Sequence, residues 1–263
     1  MLQRSTRVDD RTAFERFPFD RGFLTHALAD LAGAAIYADR PSEPRAALLA
    51  AGWSRVSFVW GDPGARDAGS LVVDAARGHR PGRMVILSVP DAAWRDAIMA
   101  GAGPGAFVVP RVDYDAFDRQ GFERGAAHRT AGALPVVPID GELIDRVRPE
   151  CDEHFDPAAF RERGGIGFVA LDANREHVRA VAWTATVGGQ SNIGVATRPE
   201  HRRQGLANAV GRAVVERCLA AGVRLHVCTG ATNSAARALG HTAWGFASRS
   251  STIGYSCRHR TTD

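Results

Sequence analysis

Arg202, Arg203, Gln204 and Gly205 stand where a β-branched run meets a long apolar-periodic one. The run before them, QSNIGVAT (190–197), ends at Thr197, and Pro199 forbids a helix directly after it. The run after them begins at Leu206, so the pattern predicts a strand, a short polar loop and a helix. A helix start leaves backbone N–H groups without intrahelical partners and carries partial positive charge. Such a corner binds anions, phosphates above all. Gly205 lets an anion reach the backbone without meeting a Cβ, Ala207 keeps the next turn narrow, and Arg202 and Arg203 supply charge-assisted bonds.

Groups that move protons are harder to choose. PECDEHFDP (149–157) brings Cys151, Asp152, Glu153 and His154 into one loop, where Glu153 and His154 are candidates to hold or deprotonate an amine. The alternative is a polar connection between helices. Cys151 and His154 have a C-x-x-H spacing, but no second ligand pair accompanies them, so no metal site is expected. Cys228 lies on a predicted strand and is either reactive or a buried structural thiol. His241, on a predicted helix, is either a proton donor or a surface residue. Gln190, Ser191 and Asn192 do not titrate usefully, and Glu200 is expected to face solvent.

The elements that must position these residues fall into two halves, read as 1–125 and 126–263, with a polar Gly/Ala-rich seam near 118–133. In the first half AAIYAD (34–39), RVSFVWGD (55–62), MVILSVP (84–90) and AFVVPRVDY (106–114) read as strands. PRAALLAAG (44–52) and DAAWRDAIMAG (91–101) read as helices, the second capped by Asp91 and stopped by Gly101. GDPGARDAG (61–69) lacks both the P-loop Lys-Ser/Thr and a G-x-G-x-x-G spacing and reads as a surface turn.

The second half opens with a strand at 134–140, a helix at 141–150 and a second helix capped by Asp156-Pro157 and stopped by Gly164. Strands at 165–172, 177–187 and 190–197 follow as a meander, turning at Asp172-Ala173-Asn174 and at Gly188-Gly189. In the long helix Leu206, Val210, Val214 and Cys218 recur every fourth residue, with Val215 and Leu219 beside them, and Gly222 ends it. A strand at 224–230, a helix at 233–244 and a strand at 246–256 complete an α/β (α+β) order β-α-α-β-β-β-α-β-α-β.

Composition narrows the classes. The 263 residues are 45% hydrophobic and 24% charged, an ordinary globular balance. No apolar run reaches the roughly 20 residues of a membrane span. MLQRSTRVDDRTAFERF has no apolar core, which predicts no secretory leader. Four scattered cysteines make no disulfide framework, and a cytoplasmic setting is expected. All 33 Lys-plus-Arg residues are Arg, a bias suggesting a GC-rich bacterium. Those arginines are interleaved with acids, and the net charge is only +4, so neither nucleic acid nor membrane is an expected partner. Monomer and homodimer both stay open.

Arg202-Arg203-Gln204-Gly205-Leu206-Ala207 resembles the R/Q-x-x-G-x-G/A signature of the GNAT acyl-CoA-dependent N-acetyltransferases, and the order of elements over the second half is similar to theirs. More loosely, the whole chain resembles a two-part GNAT family that includes zwittermicin-type self-resistance acetyltransferases. The resemblance implies a C-terminal GNAT fold, with a mostly antiparallel splayed sheet flanked by helices, after a smaller GNAT-like α/β domain. It implies acetyl-CoA as co-substrate, with no metal, and the amine of a small, antibiotic-like molecule as acceptor. Val195, Ala196 and Thr197 would pair with the pantetheine arm and polarise the acetyl carbonyl. Arg202, Arg203, Gln204, Gly205, Leu206, Ala207 and Asn208 would hold the pyrophosphate, and Asn233 would open the following helix. Many GNAT enzymes carry an acidic Tyr on that helix; here its position holds Gly240, and Gly245-Phe246 falls one residue later than usual. Those departures keep a second expectation open, an inactive acyl-CoA-binding or regulatory module.

Overall fold

The structure is a computed structural model that describes residues 3–5, 34–40, 44–51, 56–79, 85–89, 91–102, 106–125, 134–152, 155–184 and 190–257. The chain forms two compact units. The first is Met1–Val112 with Gly230–Thr232 and Ser250–Asp263, and the second is Asp113–Thr229 with Asn233–Arg249. No helix among the described residues is long and apolar enough to cross a membrane.

The first unit contains β1 (Gln3–Ser5), β2 (Ala34–Ala38), β3 (Ala46–Ala51), β4 (Val56–Gly61), α1 (Ala68–His79), β5 (Val85–Ser88), α2 (Trp94–Ala102) and the start of β6 (Ala106–Phe117). β1 to β4 are successive antiparallel neighbours, and β4 pairs in parallel with β5. The end of the last strand, β12 (Phe246–Cys257), lies antiparallel on β5.

One expectation fails here. PRAALLAAG is not a helix but strand β3. Alanine and leucine favour helices, yet the run is six residues long and lies between β2 and β4. Ala46 to Ala50 are buried on both faces. A short, wholly apolar run reads alike as buried strand or buried helix until neighbours decide. The helix α1, which the sequence left unread, follows the 61–67 turn and buries Ala68, Val72, Val73 and Ala76.

Gly101 does not stop α2, which continues to Ala102. It is a contact residue. A Cβ at Gly101 would run into the backbone of Gly69 and Ser70, and one at Gly69 into the carbonyl of Ala97. α1 and α2 therefore cross through two glycines, and Arg77 Nη2 donates to the Ala102 carbonyl at 2.9 Å beside them. Gly101→Ala is expected to cost about 3 kcal/mol, the scale of an overpacked contact with unyielding backbone. Urea denaturation checks it, and an unchanged midpoint would contradict the packing.

The second unit takes the end of β6, then α3 (Arg119–Gly125), β7 (Val136–Pro138), α4 (Leu143–Glu150), α5 (Pro157–Glu162), β8 (Ile166–Leu171), β9 (Val178–Thr184) and β10 (Gln190–Thr197). A 3-10 turn (Pro199–His201), α6 (Leu206–Ala220), β11 (Arg224–Gly230), α7 (Ser234–Ala238), a π-helical turn (Leu239–Ala243) and the start of β12 complete it. The sheet runs β6-β11-β10-β9-β8-β7. The predicted order of elements is the observed one. The seam at 118–133 is not all connection, since α3 occupies part of it and buries Phe122; residues 126–133 and the Gly188-Gly189 turn lie outside the described residues.

Local signals in this unit act as read. Asp156 accepts from the amides of Ala158 and Ala159 at the head of α5, with Pro157 at its first turn. Asp172 turns the β8–β9 hairpin through bonds from Glu176 and His177 amides. Leu206, Val210, Val214, Val215 and Cys218 are buried, so the apolar stripe of α6 faces the sheet.

Glu150, at the end of α4, joins helix to sheet. It accepts from Arg146 Nε at 2.7 Å and from the Val178 amide at 2.7 Å. Burial works to raise its carboxyl; the Arg146 bond, the Val178 amide and the Arg146 charge overcome that and hold it below its ordinary 4.5. A folded-state value below the unfolded one stabilises above the unfolded value, and the gain is lost as pH falls through the folded value. Glu150→Gln is therefore expected to flatten the acid limb of a melting-temperature profile below pH 4.5. A limb of unchanged slope would show that the ion pair contributes nothing.

Candidate functional site

β10 is paired in two different ways along its length. Gln190, Ser191 and Asn192 pair in parallel with Arg224, Leu225 and His226 of β11, and there the parallel pairing ends. Ile193 to Thr197 remain paired only with β9, from Thr184 back to Ala180. β10 and β11 therefore part at Asn192 and His226 and leave a fork between them.

A defined set of backbone groups faces the fork. Just past the last β9–β10 pair, the Arg198 amide donates to the Arg179 carbonyl at 3.0 Å. Antiparallel residues alternate between pairs that exchange hydrogen bonds and pairs that do not. Counting back from Arg198, Ala196 and Gly194 turn their N–H and C=O toward β9. Thr197 and Val195 turn theirs into the fork, while the Ile193 N–H lies at the last parallel pair with β11. Of the three strand residues singled out by sequence, Val195 and Thr197 present polar backbone to the opening, while Ala196 spends its own on the sheet. Thr197 Oγ1 is buried without a partner, and the Thr197 carbonyl accepts from Arg202 Nε at 3.3 Å.

The chain then turns tightly into α6. The 3-10 turn closes with His201 N on the Arg198 carbonyl at 2.9 Å. Arg203 (φ +62°) and Gly205 (φ +77°) are both left-handed. Gly205 is the residue before α6 and sets no side chain over its first amides. The N–H groups of Leu206, Ala207 and Asn208 occupy first-turn positions that have no intrahelical acceptor. Arg202, Arg203 and Gln204 are exposed, and Gly205 and Ala207 are partly exposed. Leu206 is buried and anchors the corner, while Asn208 is buried with Oδ1 unpartnered. Glu200 pairs with Arg198 at 2.7 Å and is half-exposed.

The first unit repeats the plan with a different corner. Val56, Ser57 and Phe58 of β4 pair in parallel with Ile86, Leu87 and Ser88 of β5, and a turn leads into α1. The Leu71 amide bonds the Asp67 carbonyl at 2.9 Å, as Ala209 does that of Gly205. Asp67, at φ +60°, thus stands where the second unit has Gly205. Asp62 accepts from the Gly64 amide in the same turn. Asp67, paired with Arg66 at 3.6 Å, and Asp62 in the preceding turn place acidic side chains at this corner, and at the helix start itself the second unit has none.

The proton-transfer candidates separate. Cys228 is on the splayed part of β11, two residues beyond the last pair, and is partly buried. His241 is in the π-helical turn, an exposed residue whose Nδ1 lies 3.2 Å from the Phe246 carbonyl. A carbonyl can only accept, so Nδ1 carries the proton in that bond. Glu153 and His154 lie outside the described residues. Asn233 caps α7 by accepting from the Ala236 amide at 3.1 Å. Cys151 Sγ donates to the Ala196 carbonyl, and burial, then the charge of Asp152, push its thiol up to about 11. Among the described residues no three His, Cys, Asp or Glu side chains gather as a metal-binding group.

The π-helical turn explains the late Gly245-Phe246. Trp244 N bonds the Leu239 carbonyl at 2.8 Å, an i→i+5 closure that accommodates one extra residue. Gly240 sits inside it, and a Cβ there would point at Val227 of β11 and the ring of Tyr114. The buried Tyr114 ring fills the space a larger residue at 240 would take.

Trp183 and Arg212 were not singled out by sequence reasoning. Trp183 Nε1 donates to Asp152 Oδ2 at 3.0 Å. Its available signal was a glycine in each adjacent strand, Gly167 and Gly194. Arg212, on the apolar side of α6, carried no signal beyond its spacing.

The chain's fold is shared by known structures. A GCN5-related N-acetyltransferase-like protein from Streptococcus suis superposes with a TM-score of 0.72 at 22% identity, over 94% of this chain and 96% of that one. A tandem GNAT protein from the clavulanic acid biosynthesis pathway gives 0.60 at 13% identity over 100% of both chains. An acetyltransferase of the GNAT family from Colwellia psychrerythraea gives 0.55 at 11%, over 98% and 100%. No protein of curated function matches the sequence. The description GNAT acetyltransferase matches residues 13–242, most of the chain. The forked sheet and the bare helix corner thus belong to a member of the GNAT acetyltransferase family.

Proposed function

We propose that this protein transfers the acetyl group of acetyl-CoA to the primary amine of a small molecule. One observation carries the reading: β10 and β11 part just before a helix corner that carries Gly205 and unpaired first-turn amides. The residues fit the co-substrate. Arg203 to Asn208 would take the diphosphate, with Arg202 and Arg203 adding charge. Val195 and Thr197 would pair with the amide groups of the pantetheine arm as a partial extra strand. A fork-facing N–H of Val195 or Thr197 would polarise the acetyl carbonyl.

The transfer balances as a single exchange. An ammonium has no lone pair, so one proton must leave before attack. The neutral nitrogen forms the C–N bond, the carbonyl oxygen gathers charge against the strand N–H, and the C–S bond breaks. Nitrogen loses a second proton, and the CoA thiolate gains one. His241 and Cys228 are the described candidates for delivering that proton, with Glu153 and His154 as candidates on the amine side. The first unit, with Asp67 and Asp62 at its corner, serves as a degenerate copy without a diphosphate site.

Gly240 favours a second reading, an acyl-CoA-binding module without turnover, because no hydroxyl extends from that position. Calorimetric titration with acetyl-CoA, followed by thiol release over an amine panel, separates the two. Binding with turnover supports transfer, binding without turnover supports the module, and absence of binding by the folded protein overturns both. Turnover lost in His241→Ala but kept in Tyr255→Phe would identify His241 as the acid.

A further inference from the structure

Trp183 has a glycine as cross-strand partner on each side, Gly167 on β8 and Gly194 on β10. Its indole leans over Gly194. A Cβ there would come within 3.0 Å of Cε2 and 3.2 Å of Cζ2 and Nε1. The ring therefore extends from β9 across β10, whose far edge from Ile193 onward lines the fork. Asp152 pins the indole nitrogen at 3.0 Å, and Phe155 braces it edge-on at 5.3 Å and 84°. Phe155 is buried, but Trp183 stays partly exposed. Val181 is buried in the same apolar cluster, with Ala196 packed against it. Asn192, two residues before Gly194 and so on its face of the sheet, has Nδ2 buried without a partner where the fork opens. A buried donor left without an acceptor is unfavourable, and a ligand oxygen would satisfy it.

We infer that this face is the acceptor subsite and that it takes an arylalkylamine, a primary amine on a flat apolar body. The inference rests on the transfer reading above. The apolar body lies against Trp183, the Asp152 carboxylate draws the entering ammonium, and Asn192 Nδ2 donates to an oxygen on the ligand. Among the described residues this face is apolar around Trp183, Phe155 and Val181 and carries the Asp152 carboxylate, which suits a single cation on a hydrophobic frame better than a polyamine or a sugar with several ammonium groups.

Two measurements test it. Thiol release is compared for tyramine, phenethylamine, spermidine and kanamycin at fixed acetyl-CoA. The arylalkylamines are expected to lead in kcat/KM by about tenfold, and Trp183→Phe and Trp183→Ala to raise their KM progressively, to about tenfold for Ala. Acetyl-CoA affinity should stay unchanged in both variants, and Asp152→Asn should lower the preference for amine over the neutral 2-phenylethanol as an inhibitor. Equal kcat/KM across the panel, a preference for spermidine or kanamycin, or an unaltered KM in Trp183→Ala would overturn the inference. The second measurement needs no chemistry: titration of tyramine while following indole fluorescence. A saturable change absent from Trp183→Phe supports the subsite, and no change refutes it. Loss of the transfer reading would appear separately, as no acetyl-CoA binding.

Discussion

Gly205→Val is expected to raise the KM for acetyl-CoA by about 100-fold, the equivalent of one to two charge-assisted hydrogen bonds at about 1.5–3 kcal/mol each. The cause is local. Gly205 adopts φ +77° immediately before α6. A β-branched residue is strained there, at about 1–3 kcal/mol, and relieving the strain rotates the first amides away from the diphosphate. The added methyls also stand where an anion would meet the backbone. Leu206 and Val210 behind the corner are buried and untouched, so the fold should persist. Gly205→Ala, with the left-handed strain but less bulk, should fall between. Steady-state thiol release with a thermal melt on each variant checks the pair. An unchanged KM in a folded Gly205→Val would detach the corner from the co-substrate.

Arg212→Ala is expected to destabilise the protein by about 4 kcal/mol, the scale of removing a buried charged donor from its acceptors. Arg212 is buried on α6, with Nη1 donating to the Phe122 carbonyl at 2.6 Å and the Ala243 carbonyl at 2.8 Å. Its guanidinium lies 3.7 Å from the centroid of the Phe122 ring. One side chain thus ties α6 to α3 and to the end of the π-helical turn. Alanine leaves two carbonyls facing a cavity. Arg212→Met keeps much of the volume without the bonds and should cost about half as much. Guanidinium denaturation measures both, and equal midpoints for wild type and Arg212→Ala would show the clamp to be idle. Because α6 also carries the Gly205 corner, a shift in acetyl-CoA KM with Arg212→Met would show that the clamp positions it.

Legibility in the sequence followed the range of the interactions involved. The strand-loop-helix around Thr197 to Leu206 was readable because each signal is local: β-branched residues, a proline, a glycine, then a four-residue apolar repeat. The Asp156-Pro157 start of α5 and the Asp172 turn were readable for the same reason, since side chain and backbone partner lie within a few residues. PRAALLAAG reads as a helix because composition alone does not tell a buried strand from a buried helix. Gly101 reads as a stop because its contact, the backbone of Gly69 and Ser70, is distant in sequence. The same distance hid Trp183 with Asp152, and Arg212 with Phe122 and Ala243.

By itself the sequence determined the order of elements in the second half, the family signature and the glycine at the helix corner. It also carried the one-residue delay before Gly245 without revealing its cause. Tertiary structure alone decided that Ala46–Ala51 is a strand, that β10 leaves β11 at Asn192, and that Val195 and Thr197, not Ala196, turn their backbone groups into the opening. The physical reason is that caps, turns and helix starts are satisfied by near neighbours. Sheet pairing, strand alternation and the packing of bare glycines are satisfied by partners that the chain supplies only once it has folded.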